Sequence, residues 1–78
     1  MKLGRRLEDV IRKVFPIDAE SVDENWTSED IPEWDSMGHL SLITEIERAF
    51  EIKIEIEEMF EVEKLGDIST ILMRRDVL

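Results

Sequence analysis

The residues that follow Asp35 constrain the fold more than any other stretch of the chain. At 100° of rotation per residue, their apolar side chains fall within about 120° of arc, which is typical of the buried face of a helix. These side chains are Leu42, Ile43, Ile46, Ala49 and Phe50. Asp35 stands just before them, where its carboxylate can accept hydrogen bonds from the free N–H groups of a first helical turn. The sequence therefore predicts an amphipathic helix that begins after Asp35.

Three further helices are predicted from local patterns. Apolar residues at helical spacing predict a first helix from about Leu3 to Phe15, and Pro16 ends it. Residues Glu57 to Phe60 predict a short third helix, and Asp67 is the expected N-cap of a fourth. Together these elements predict an all-α fold, a small four-helix bundle with a long loop between helices one and two. The predicted core consists of Leu7, Ile11, Val14, Leu42, Ile46, Phe50, Ile54, Phe60, Ile68 and Ile71.

The segment from Pro16 to Asp35 shows no period, and it contains both prolines of the chain. A loop of this length in a small domain is usually functional or partly structured. Trp26 and Trp34 are expected to anchor it to the core, and Thr27 to Asp30 can form one helical turn.

The segment Glu51–Glu57 alternates strictly between acidic or basic and apolar residues, a pattern typical of a β-strand. A lone strand has no partner in this chain, however, and an unpaired strand is not stable. We therefore interpret the segment as an extended connector whose isoleucines, Ile54 and Ile56, fill part of the core.

Composition limits the classes of partner. The 78 residues are enough for one domain, 1–78, and none of them is a cysteine, which fits a cytoplasmic protein. The net charge of −10 argues against nucleic acid and anionic membranes as partners. No apolar run resembles a signal peptide or reaches the length of a membrane span. Sixteen acidic residues lie between Ile17 and Glu63, where they form either a solvated surface or a docking face for basic proteins.

Two kinds of active centre can be tested against the sequence. Ser36 and His39 are one helical turn apart, as a nucleophile and its base could be, but no glycines of a nucleophile elbow flank the serine. The chain is also too small to enclose an active site, so no catalytic residue is predicted. A calcium loop over Asp18–Glu29 fails because Val22 and Asp23 occupy its fifth and sixth positions, and no metal site is predicted.

The stretch Glu33–Leu40 resembles the Asp-Ser-Leu site of acyl carrier proteins, and the order of predicted elements is similar to that family over nearly the whole chain. The resemblance implies that the hydroxyl of Ser36 carries a 4'-phosphopantetheine arm. It also implies that Asp35 helps to bind the metal-assisted phosphopantetheinyl transferase complex, and that Met37 replaces the usual leucine. The chain would then be a non-catalytic carrier that presents acyl groups as thioesters to other enzymes.

The same resemblance implies which surface meets those enzymes. Met37 lies opposite the apolar face of its helix and Leu40 lies at its margin, so both are expected to contact partners. The acidic residues expected to contact basic patches on acyl-loading and acyl-processing enzymes are Glu45, Glu47, Glu57 and Glu58. The protein is expected to be a monomer. The alternative is an acidic helical interaction module that carries no prosthetic group.

The site departs from the carriers of primary fatty acid synthesis, which typically read Gly-Ala-Asp-Ser-Leu-Asp. Here Trp34 precedes Asp35, and Gly38 and His39 follow Met37. This combination is similar to stand-alone carriers of specialised fatty acid, polyketide or related pathways. Gly38 is expected to permit a close backbone approach beside the site, and His39 is expected at its rim.

Overall fold

The computed structural model describes residues 3–18 and 20–77, and these residues form four α-helices. In chain order the helices are α1 (Arg5–Val14), α2 (Ser36–Phe50), α3 (Ile56–Glu61) and α4 (Leu65–Arg74). Across the described residues no strand forms, and an isolated bridge pairs Thr27 with Lys64. The predicted all-α bundle with a long first loop is therefore confirmed. The predicted domain also includes residues 1, 2, 19 and 78, which lie outside the described residues.

The core forms where α1, α2 and α4 bring their apolar faces together. Eight residues of the predicted core are buried, namely Leu7, Ile11, Leu42, Ile46, Phe50, Ile54, Ile68 and Ile71. Val14 is half-buried at the edge of the core. Phe15 and Leu65 are also fully buried, because the end of α1 and the start of α4 pack inward.

Two apolar residues predicted to be buried are in fact exposed. Phe60 is 74% exposed and Ile56 is 65% exposed, so both predictions are wrong. Ile54 and Ile56 would share one side of an extended segment, but α3 begins at Ile56 and the helical rotation turns its side chain away. Within α3 the residue that packs partly against the core is Met59, and the next residue points about 100° around the helix.

The long loop is folded back against the rest of the protein. Val22, Ile31 and Trp34 are buried, and Trp26 packs partly against the core, so both tryptophans anchor the loop as predicted. The predicted helical turn forms, since the Ile31 N–H donates to the Thr27 carbonyl at 3.1 Å.

The start of α4 differs from the prediction. Its N-cap is Lys64, and Asp67 is the third residue of the helix, so the prediction of Asp67 as N-cap is wrong. The Asp67 carboxylate still caps the helix, because it reaches back to accept the N–H groups of Glu63 at 2.9 Å and Lys64 at 3.1 Å. The loop contributes as well, since the Leu65 N–H donates to the Trp26 carbonyl at 3.1 Å.

Helix α3 has no buried residue, and polar tethers add to the partial packing of Met59 against the core. At the end of α4, the Arg75 guanidinium forms a bidentate pair with the Glu58 carboxylate, with one N···O distance of 2.7 Å. The same guanidinium donates to the Lys53 carbonyl at 2.9 Å. The hydrogen bond from Arg75 holds the pKa of Glu58 at about 2, well below its usual value, and the pairing raises the pKa of Arg75. Arg75 therefore joins α3 to the end of α4.

This pair predicts how stability depends on pH. Since the pKa of Glu58 is lowered on folding from 4.5 to about 2, the pair stabilises the fold above the unfolded pKa, and this contribution is lost as the pH falls toward 2. We expect Glu58→Gln to lower the free energy of unfolding at pH 7 by about 1–2 kcal/mol. We also expect the variant to lose less stability than the wild type as the pH falls from 4.5 to about 2. Urea unfolding followed by circular dichroism at a series of pH values measures both effects.

The control is Glu61→Gln, which breaks the exposed ion pair between Glu61 and Arg74 at 3.5 Å. Exposed pairs contribute little, so this variant should change stability by less than about 0.5 kcal/mol at any pH. Equal losses in the two variants would contradict the role given to Glu58.

Candidate functional site

The start of α2 presents a capped turn with an exposed serine. Asp35 is the N-cap, as predicted, and its carboxylate accepts the Gly38 N–H at 2.8 Å. Ser36 is the first residue of the helix, and it is exposed. The positive end of the helix dipole and the free N–H groups of a first turn favour an anionic group near such a residue. A phosphodiester on Ser36 would therefore lie in a favourable electrostatic position.

A groove of about 500 Å³ opens beside Ser36. The long loop, α2 and the α3 region form its walls, to which Trp34, His39, Met59 and Phe60 contribute. Its surface combines apolar side chains with polar groups, which suits an arm of amides and methylenes. The exposed hydroxyl and the adjoining groove thus fit a phosphopantetheine arm attached to Ser36.

Gly38 allows the loop to pass very close to α2. A Cβ atom built on Gly38 would lie 2.1 Å from the Glu33 carbonyl oxygen and 3.1 Å from Cε1 of Phe15. Real Cβ contacts are never that short with a backbone oxygen, so a larger residue would displace the loop. The predicted close approach beside the site is confirmed, and it lies directly before Trp34 and Asp35 in the chain.

His39 lies at the rim of this groove, as predicted, but its ring nitrogens are used inside the protein. The Trp34 indole N–H donates to Nδ1 at 2.9 Å, and Nε2 lies 2.8 Å from the Met59 carbonyl oxygen. With both nitrogens occupied, the imidazole has no position from which to act as a base for Ser36. The sequence did not indicate this bridge, because neither residue spacing nor composition relates His39 to Met59.

A known protein family matches most of this chain. The sequence profile of a family described as "Phosphopantetheine attachment site" matches residues 5–72. The chain belongs to this family. The match covers α1, α2, α3 and most of α4, and it includes Asp35 and Ser36. A member of the phosphopantetheine attachment family is a carrier modified by other enzymes, so this chain is not an enzyme itself.

Two solved structures are similar to this family member. One is the solution structure of a holo acyl carrier protein from Geobacter metallireducens, with 28% identity and a TM-score of 0.78; the match covers 87% of this chain and 78% of the other. The second is a protein from Mycobacterium tuberculosis provisionally described as an acyl carrier protein. It has 24% identity and a TM-score of 0.77, and the match covers 91% of this chain and 99% of the other. This similarity supports the fold alone. No curated protein matched the chain.

The apolar residues predicted to meet partners of this carrier are exposed. Met37 is 75% exposed and Leu40 is 52% exposed, and both line a shallow second groove on α2 with Ser41 and Thr44. Phe60, which the sequence assigned to the core, instead stands exposed at the groove beside Ser36. Large apolar side chains are therefore exposed both on α2 and at the groove.

Three of the four acidic residues predicted to meet partners form hydrogen bonds or ion pairs within the protein. Glu47 accepts the Ile54 N–H at 2.8 Å and so fixes the connector after α2, while Glu58 is paired with Arg75. Glu45 lies 3.2 Å from the Lys13 ammonium and also contacts Arg48. Of the four residues, Glu57 is exposed on α3. Contact of these residues with partner enzymes remains a prediction.

In residues 3–18 and 20–77 no group of three or more His, Cys, Asp or Glu side chains is arranged to hold a metal ion. No helix within this part of the chain is long and apolar enough to cross a membrane.

Proposed function

We propose that Ser36 is the residue that carries 4'-phosphopantetheine, and that the chain presents acyl intermediates on this arm as thioesters to biosynthetic enzymes. The observation that carries the proposal is the exposed Ser36 hydroxyl at the start of α2, beside a groove that can receive the arm. The membership of the chain in the phosphopantetheine attachment family supports it. The thiol of the arm supplies the acyl chemistry, and the protein supplies position and recognition.

Asp35 is proposed to take part in recognition by the transferase and its metal ion. One oxygen of its carboxylate, Oδ1, caps α2 through Gly38, and the side chain is exposed next to Ser36. A carboxylate oxygen is a ligand that Mg²⁺ prefers, and Mg²⁺ commonly uses one or two carboxylates together with phosphate groups. Asp35 can therefore cap the helix and meet the incoming metal–coenzyme A complex from the same position.

The proposed carrier is a single domain over residues 1–78 that acts as a cytoplasmic monomer in a specialised fatty acid, polyketide or related pathway. The replacement of the usual residues around the serine by Trp34, Gly38 and His39 supports a specialised pathway. The net charge of −10 supports a monomer, because two copies repel each other. The absence of cysteine supports a reducing compartment.

The function is tested by incubating the purified chain with coenzyme A, magnesium and a phosphopantetheinyl transferase of broad specificity. Intact-protein mass spectrometry should show the gain of one phosphopantetheine. A second carrier of known activity, labelled in the same tube, shows that the transferase is active. An unmodified chain beside a labelled control would favour the alternative, an acidic interaction module that uses its exposed α2 face without a prosthetic group.

Met37 is proposed to contact partner enzymes, and a charge at this position should disrupt that contact. We expect Met37→Glu to slow loading at low transferase concentration by about tenfold, because an apolar interface contact of 1–2 kcal/mol is replaced by a buried charge. Helical circular dichroism should not change, since the side chain is exposed. The matched control is Met73→Glu, which adds the same charge to an exposed methionine on α4 and should load normally. Equal slowing in both variants would contradict a specific role for Met37.

A further inference from the structure

The His39 imidazole makes the one hydrogen bond that joins α2 to α3 in the described part of the chain. Its Nε2 lies 2.8 Å from the Met59 carbonyl oxygen, and its Nδ1 lies 2.9 Å from the indole nitrogen of Trp34. The ring therefore connects the loop, the helix that bears Ser36 and the helix across the groove. We refer to these two hydrogen bonds of His39 as the His39 bridge.

The chemistry of the two partners determines the protonation of the ring. An indole nitrogen can only donate a hydrogen bond, and a carbonyl oxygen can only accept one. Nδ1 must therefore be unprotonated and Nε2 must carry the proton, so the bridge requires the neutral Nε2–H tautomer. A doubly protonated ring can still donate from Nε2 to the Met59 carbonyl, but its Nδ1 proton would face the Trp34 N–H, so the ring cannot keep its position between the two partners. Trp34 is buried, so the loss of this acceptor would be costly for its N–H.

We propose that His39 is a positioning residue for loading of Ser36: the neutral His39 bridge holds α3 beside the serine, and protonation of the ring, which sets its Nδ1 proton against the Trp34 N–H, breaks the bridge. This proposal rests on the proposed attachment of phosphopantetheine at Ser36. Helix α3 is suited to such control because it has no buried residue, and two polar tethers at its sides add to the partial packing of Met59. The Arg75–Glu58 pair tethers it to the end of α4, and the His39 bridge tethers it to α2.

The Arg75–Glu58 tether is not sensitive to mild acid. The pKa of Glu58 is about 2, so its pair with Arg75 persists in mild acid. His39 is the single histidine of a chain without cysteine, and histidine is the side chain that ordinarily changes charge between about pH 5 and 8. The charged groups that share its groove are Asp35, from the start of α2, and Glu63, from the α3–α4 segment. The groups that contact the ring from the loop and α3, Trp34 and the Met59 backbone, do not titrate in this range.

The first test uses the chain as purified, before any loading, and so does not depend on the proposed function. Nitrogen chemical shifts of the single imidazole should show the Nε2–H tautomer at pH 8. Amide hydrogen exchange, corrected for the intrinsic effect of pH, should then show that the open population of α3 rises about tenfold or more as the pH falls from about 8 to 5.5. The open population of α1 should not change. An Nδ1–H tautomer, or α3 opening that does not depend on pH, would overturn the proposal.

Two variants separate the bridge from simple packing. His39→Phe keeps an aromatic ring but removes both hydrogen bonds, so α3 should open equally at pH 8 and pH 5.5. Trp34→Phe removes only the indole donor, so a protonated His39 can keep its bond to the Met59 carbonyl and α3 should stay closed at pH 5.5. An unchanged pH dependence in either variant would overturn the proposal.

Loading tests the positioning role itself. With one transferase at both pH values, the wild type should load about tenfold faster than His39→Phe at pH 8, and the two rates should converge near pH 5.5. A constant ratio would mean that His39 stabilises the fold without positioning the site, which would overturn the proposal. If the wild type does not load at all, the proposed function fails, and the exchange and tautomer data still decide whether the bridge exists.

Discussion

Replacement of Ser36 by alanine should abolish loading completely while leaving the fold intact. The hydroxyl is the nucleophile that would take the phosphopantetheine group from coenzyme A, and alanine has no atom that can replace it. Ser36 is exposed at the first position of α2, and the cap that starts this helix comes from Asp35. The free energy of unfolding should therefore change by no more than about 0.5 kcal/mol. Intact mass spectrometry after incubation with the transferase measures loading, and urea unfolding measures stability.

The matched control for this variant is Ser41→Ala. Ser41 is also an exposed serine on α2, just over one turn further along the helix. Its alanine variant should load at the wild-type rate. Loading of Ser36→Ala, or loss of loading in Ser41→Ala, would contradict the assignment of Ser36.

Gly38→Ala should be the most destabilising single methyl addition near the site. The new Cβ would lie 2.1 Å from the Glu33 carbonyl oxygen, and a backbone oxygen cannot rotate away as a side chain can. Alanine gains about 1 kcal/mol in helix propensity, but the forced movement of the loop should outweigh it. We expect the free energy of unfolding to fall by about 2–3 kcal/mol, as measured by urea unfolding. Loading should slow as well, because the displaced segment carries Asp35.

Gly66 supplies the control for this prediction. It is buried at the start of α4, where a Cβ would lie 3.2 Å from the Glu24 carbonyl oxygen. A shift of a few tenths of an ångström relieves that contact, so Gly66→Ala should change stability by less than about 1 kcal/mol. If Gly38→Ala is as stable as Gly66→Ala, the close approach of the loop to α2 does not exist in solution.

The strongest local patterns in the sequence predicted the fold well. The apolar face of α2 and the cap at Asp35 are properties of neighbouring residues, and both were recovered. Trp26 and Trp34 were recognised as anchors because large aromatic side chains in an aperiodic loop have few other roles. The exposure of Met37 followed from its angle on the helix, since Met37 lies opposite the buried face.

The predictions that were wrong, and the contacts that were missed, concern very short elements or pairs of distant segments. Helix α3 is too short to show a period, so nothing in the sequence indicated that Ile56 and Phe60 turn outward. Carboxylates can cap a helix from its N-cap or from its third residue, and the local sequence did not distinguish these positions for Asp67. The pairing of Glu58 with Arg75 joins residues 17 positions apart, a contact that no periodic pattern encodes.

The position of the phosphopantetheine group tests the central claim most directly. After loading of the wild-type chain, proteolysis and fragment mass spectrometry can locate the modified residue among Ser21, Ser28, Ser36, Ser41 and Ser69. The predicted result is a single phosphopantetheine on Ser36, with the other four serines unmodified. Attachment at Ser28, which also lines the groove, or at any other residue would contradict the assignment of the site.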